Sequence, residues 1–93
     1  MGIDFLDVSF RIEREFGVDP RGDELRRLGL QRHPPDVTAA ELHEIICQRY
    51  RTVGVAPPED SWPRLQAILA EALGRELADV NRDSWLVEDL GME

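Results

Sequence analysis

Residues 84–93 read SWLVEDLGME, and residues 2–8 read GIDFLDV. The first stretch, an acidic pair followed by Leu-Gly, has the form of a turn that delivers the next residue to the start of a helix. The second stretch has the form of that helix. Read together, they make the last segment a run-up whose continuation lies at the other end of the chain.

Those intervening segments carry helical signals and no competing strand-like alternation, which predicts an all-α fold. In residues 3–17, Ile3, Leu6 and Phe10 fall on one side, with Phe5, Val8, Ile12 and Phe16 widening the apolar face. Gly17 suits the left-handed residue that ends a helix. Residues 18–36, VDPRGDELRRLGLQRHPPD, predict a loop with a short helical turn at Leu25, Leu28 and Leu30.

Residues 37–53, VTAAELHEIICQRYRTV, give the clearest local signal. Thr38 can cap the helix and Glu41 can reach back to it, while Val37 and Leu42 have the spacing of a hydrophobic staple. Such a cap contributes ~1 kcal/mol. Leu42, Ile45, Ile46, Tyr50 and Val53 are expected to face the core. Residues 54–60, GVAPPED, read as a linker. Residues 61–93 open with a helix whose stripe is Trp62, Leu65, Ile68, Leu69, Ala72 and Leu73, with Pro63 tolerated in the first turn and Gly74 ending it. Leu77, Val80, Trp85, Leu86, Val87 and Leu90 then predict an extended loop that pins itself to the core, with Trp85 buried as a packing residue.

A chain of 93 residues with net charge −8 fits one compact domain. The charge is uneven: residues 1–58 carry eight Arg against ten Asp/Glu, whereas residues 59–93 carry three Arg against nine. An acidic field repels phosphate backbones, so the expected partner is a protein with a basic surface and not a nucleic acid. Apolar runs fall short of the ~20 residues that span a bilayer, and no basic-then-apolar leader opens the chain, which predicts a soluble, cytoplasmic protein. Myristoylation wants Ser or Thr at the sixth position, where this chain has Leu6.

Cys47 is the single cysteine, so no internal disulfide or Cys-based metal cluster is expected, and its place on an apolar helix side predicts a small buried hydrophobe. His33 and His43 lack metal-ligand spacing and are expected to be ordinary surface side chains. There is no nucleophile-base pair, Gly-rich phosphate loop or metal spacing in the sequence pattern, which predicts a non-enzymatic protein.

Residues 69–93, LAEALGRELADVNRDSWLVEDLGME, resemble the end of the first helix and the long loop of the acyl carrier protein family, which runs to a Glu-Asp-Leu-Gly-x-Asp motif. Residues 1–16, MGIDFLDVSFRIEREF, resemble the family's second helix, and DVTAAELHEIICQRY (36–50) is similar to its last. The resemblance implies a four-helix bundle in circularly permuted order. Residues 1–17 would be the second-helix equivalent, 18–36 the loop with a short helix, 37–53 the fourth-helix equivalent, 54–60 the linker, and 61–93 the first helix and its loop. Circular permutation succeeds where new termini fall in exposed segments.

The resemblance also implies where a prosthetic group would attach. The family esterifies a serine at the start of its second helix with 4′-phosphopantetheine; here that position is Gly2, flanked by Asp89, Leu90, Gly91 and Glu93 on one side and Ile3 and Asp4 on the other. Gly2 has no hydroxyl, so no cofactor is expected. The expected function is then a carrier-like protein-interaction module, with a biosynthetic enzyme or a second copy as its expected partner. The alternative is a working acyl or peptidyl carrier with an atypical attachment. Neither Ser9, expected on the helix surface, nor Ser61, expected as a cap, nor the loop hydroxyl of Ser84 follows the motif. Asp4, Asp7, Glu13 and Glu15 match acidic partner-binding positions of the family's second helix; Arg11 and Arg14 interrupt them, and Glu15 can pair with Arg11 for ~0.3 kcal/mol. Assembly as a monomer or as a helix-swapped dimer through the 54–60 linker is expected.

Overall fold

The computed structural model describes residues 3–93, and within them the chain is all-helical. Four α-helices follow one another: α1 (Ile3–Phe16), α2 (Asp23–Leu30), α3 (Ala39–Thr52) and α4 (Ser61–Leu73), with a short 3-10 turn at Leu77–Asp79. Among the described residues there is no strand, only an isolated antiparallel bridge between Thr38 and Trp85. Helix α1 packs mainly on α4, α2 packs on α3, and α3 closes against α4.

Local chemistry explains the helix limits. Thr38 Oγ1 accepts from the Glu41 N–H (3.2 Å) and Glu41 Oε1 accepts from the Thr38 N–H (2.9 Å), so the capping box is complete. Val37 and Leu42 beside it are both fully buried. At the end of α4, Gly74 takes a left-handed φ of 65°, where a side chain would be strained.

The core is Val8, Ile12 and Phe16 from α1, Leu42, Ile45 and Ile46 from α3, Leu65 and Leu69 from α4, and Val80, Leu86, Leu90 and Met92 from the C-terminal segment. Three expectations about faces are corrected here. The sequence gives α1 two overlapping apolar stripes, and α4 selects the one through Val8, Ser9 and Ile12; Ile3, Leu6 and Phe10 are left exposed, Ile3 at 83% and Phe10 at 55%. Ser9, expected at the surface, is fully buried, and its Oγ is without a hydrogen-bond partner. Val53 lies just past the last residue of α3 and is exposed, because the face to which it belongs by spacing has already ended.

Across the bundle, Tyr50 donates its hydroxyl to the Phe16 carbonyl (2.6 Å), tying α3 to the end of α1. Arg32 donates to Glu41 (2.9 Å) and to the carbonyls of Leu28 and Asp36, and its guanidinium lies over Trp85 at 4.7 Å. Burial works to raise the Glu41 carboxyl, but the bonds from Arg32 and Thr38 outweigh it and hold Glu41 below its ordinary range. Trp85 is therefore half-buried under an arginine instead of lying in the core.

Candidate functional site

The C-terminal segment is led to its end point by buried polar contacts. Asp36 is buried, and its carboxylate accepts from three backbone N–H groups: Val37 (2.8 Å), Val87 (3.0 Å) and Glu88 (3.0 Å). The Leu86 N–H donates to the Val37 carbonyl (2.9 Å), extending the same seam. Asp89 accepts the Trp85 N–H (2.8 Å) and closes the turn. Leu90 and Met92 then enter the core, with Gly91 between them at φ +73°, where a Cβ would also stand 3.1 Å from an Arg75 guanidinium nitrogen.

That path ends at the start of α1. Glu93 donates its N–H to Asp4 Oδ2 (2.9 Å), and the Asp4 N–H donates to the Glu93 carbonyl (2.8 Å). An acidic side chain of a helix's first turn accepting the N–H of the residue that caps it is half of a capping box. Residue 93 thus caps a helix that begins at residue 3, and the cap's carbonyl also satisfies one of the first-turn N–H groups that have no acceptor within the helix. Of the expected flanking residues, Glu93 and Asp4 are brought into contact, with Ile3 next to Asp4 in the chain and Asp89, Leu90 and Gly91 in the turn that leads to Glu93. Gly2, the expected attachment position, lies outside the described residues.

None of the four acidic partner candidates stands uncommitted. Asp4 holds Glu93; Asp7 pairs with Arg11 (3.2 Å), Glu13 with Arg21 (3.7 Å) and Glu15 with Arg64 (2.9 Å). The expected Glu15–Arg11 pair is replaced, because α4 brings Arg64 to Glu15 and Glu71 to Arg11. These pairs are exposed enough that each contributes little to stability.

Beside the junction, α1 and α2 diverge to leave an open groove of about 790 Å³. Ile3, Leu6, Leu25, Leu30 and Pro35 line it together with Asp23, Arg26, which is paired with Asp23, and Arg21, which is paired with Asp19. Leu30 is 65% exposed. Sequence reasoning missed this surface because it assigned Ile3 and Leu6 to the core.

The three serines, Ser9, Ser61 and Ser84, are all buried. Ser84 Oγ accepts from the Asn81 N–H (2.9 Å) and donates to the Asp79 carbonyl (3.4 Å), an ordinary turn role. Ser61 is not the cap of α4: it is the helix's first residue, and its Oγ lies 2.8 Å from His43 Nε2. His43 is accordingly not a plain surface side chain. It is half-buried, meets Trp62 edge-on at 5.7 Å between centroids, and has Cys47 Sγ 3.7 Å from the same nitrogen. Burial, with Arg82 nearby, pushes the His43 pKa down, which favours the neutral ring.

The Ser61–His43 contact is the nucleophile-base pair that the sequence pattern did not show, since the two residues are eighteen apart and on different helices. Ser61 is buried, and among the described residues no carboxylate hydrogen-bonds to the His43 ring. Cys47 is buried as expected. Among the described residues no group of three or more His, Cys, Asp and Glu is placed to hold a metal ion, and no helix is long and apolar enough to cross a membrane.

No family model, no curated protein and no solved structure is found to match the chain.

Proposed function

We propose that this chain is a circularly permuted, acyl-carrier-like domain that serves as a protein-interaction module and carries no 4′-phosphopantetheine. The observation that supports this reading is the Glu93–Asp4 cap: the Asp-Leu-Gly turn delivers its last residue to the start of α1, as the resemblance requires of a run-up and its helix. The family places its serine at that point, and this chain has Gly2. Ser9, Ser61 and Ser84 are buried away from the junction, so none replaces it. Asp4, Asp7, Glu13 and Glu15 of α1 are the module's partner-binding residues, and the apolar groove between α1 and α2 lies beside them. Its partner is a protein with a basic surface, matched by the acidic second half of the chain.

The test is intact mass after incubation with coenzyme A and a broad-specificity phosphopantetheinyl transferase. The expected result is an unchanged mass. A stoichiometric gain of phosphopantetheine overturns the reading in favour of a working carrier.

A further inference from the structure

We infer that Arg11, Arg21 and Arg64 mask the partner-binding carboxylates of α1, so that a basic partner docks by displacing arginines that the chain itself supplies. The inference rests on the interaction-module reading and adds its regulation. Asp7 faces Arg11 (3.2 Å), Glu13 faces Arg21 (3.7 Å) and Glu15 faces Arg64 (2.9 Å). Asp4 is held by the Glu93 N–H and stands outside the mask. Arg21 comes from the loop after α1 and Arg64 from α4, and both lie over aromatic rings of α1: Arg21 on Phe10 at 5.1 Å, Arg64 on Phe16 at 4.7 Å. They stand where the arginines of a partner would have to stand.

Each of these arginines also has a second carboxylate, and in every case that carboxylate lies outside α1. Arg11 reaches Glu71 of α4 (3.4 Å), Arg21 donates to Asp19 through two bonds of 3.0 Å, and Arg64 reaches Asp60 just before α4 (3.4 Å). An arginine that yields its α1 carboxylate therefore keeps a charged partner and is not left bare. Arg21 already lies nearer to Asp19 than to Glu13, which makes Glu13 the carboxylate most readily freed. Exposed ion pairs are weak, so each displacement costs a partner no more than about five-fold in affinity. The same arrangement, one carboxylate on α1 and a reserve off it, recurs at all three arginines and makes the mask removable.

The test is titration of the isotope-labelled full chain with an oligoarginine peptide, at low ionic strength where exposed charges are least screened. Nuclear magnetic resonance shifts give both affinity and location. Wild type is expected to bind weakly, with shifts at the backbone amides of Glu13 and Glu15. Arg21→Gln and Arg64→Gln should each bind about three- to five-fold tighter. Loss of any arginine makes the chain more acidic, so Arg27→Gln is the charge-matched control: Arg27 is exposed on α2 and makes no ion pair among the described residues. It should leave the affinity near that of wild type.

Asp60→Asn removes the reserve of Arg64 and leaves Glu15 masked, so it should weaken binding below that of Glu76→Gln, an equal charge change at an exposed acid without an ion pair. An ion pair that served the fold alone would not give this opposite sign. Arg64 also donates to the Glu15 carbonyl (2.9 Å), so circular dichroism is read first. If Arg64→Gln loses helicity, Arg21→Gln and Asp60→Asn take its place. Folded arginine variants that bind no tighter than Arg27→Gln overturn the inference, and so does Asp60→Asn that binds like Glu76→Gln. Shifts at α1 without those differences sink the mask alone. A peptide that leaves α1 unshifted in every variant sinks the partner surface and the mask together.

Discussion

Replacing Asp36 with alanine should release the C-terminal segment from the bundle. Its carboxylate accepts two N–H groups from across the fold, at Val87 and Glu88, in addition to its neighbour Val37. Hydrogen bonds to a charged acceptor contribute roughly 1.5–3 kcal/mol each, and the local one to Val37 is the easiest to replace with water. Loss of the two long-range bonds should therefore cost about 3–6 kcal/mol. Small domains have ~5–15 kcal/mol in all, so the variant should sit near the edge of folding. At roughly 4–8 °C per kcal/mol for a domain of this size, the Tm should fall by at least about 12 °C.

Urea and thermal unfolding followed by circular dichroism give the energy, and hydrogen exchange gives the location. Protection should fall first at Val87 and Glu88, then at Asp4, whose N–H depends on Glu93 arriving at the end of the same segment. Asp36→Asn keeps one acceptor oxygen but turns an NH₂ toward a donor, and should lose about 2–3 kcal/mol. The reasoning fails if Asp36→Ala costs less than about 1 kcal/mol, or if exchange at Asp4 is unchanged.

Ser9→Ala should leave stability unchanged or raise it by up to about 1 kcal/mol, because the buried hydroxyl it removes has no partner; a loss above that in urea unfolding would contradict the assignment. Gly91→Ala should cost about 1–2 kcal/mol for a left-handed φ alone, read in the same assay, with the approach of Arg75 adding to it. His43 contributes to pH dependence with a definite sign: its folded pKa lies below its ordinary value, so the unfolded chain binds the proton first. The stability is fully present above about pH 6.5 and falls as the pH drops toward the folded pKa, and His43→Gln should flatten that slope. Asp4→Asn should lower exchange protection at Glu93 while leaving the Thr38–Glu41 cap intact.

The sequence by itself determined what local chemistry governs. Periodicity set four apolar helical segments, Thr38 and Glu41 set a capping box, and Gly17 and Gly74 marked helix ends, each a matter of neighbours within four residues or of the glycine's own backbone freedom. The approach of Glu93 to Asp4 was expected only from the resemblance, because neither the Asp-Leu-Gly turn nor the α1 start by itself names its partner. Tertiary structure alone decided which of the two stripes of α1 turned inward. Both are apolar and both have helical spacing, and only the Arg64 and Leu65 side of α4 distinguishes them by where it packs. That choice buried Ser9 and exposed Ile3, Leu6 and Phe10, and so created the groove. Asp36 and the His43–Ser61 contact were hidden for a related reason: their partners lie 51 and 18 residues away, and a single polar residue in a sequence carries no mark of the distant donor that the fold will bring to it.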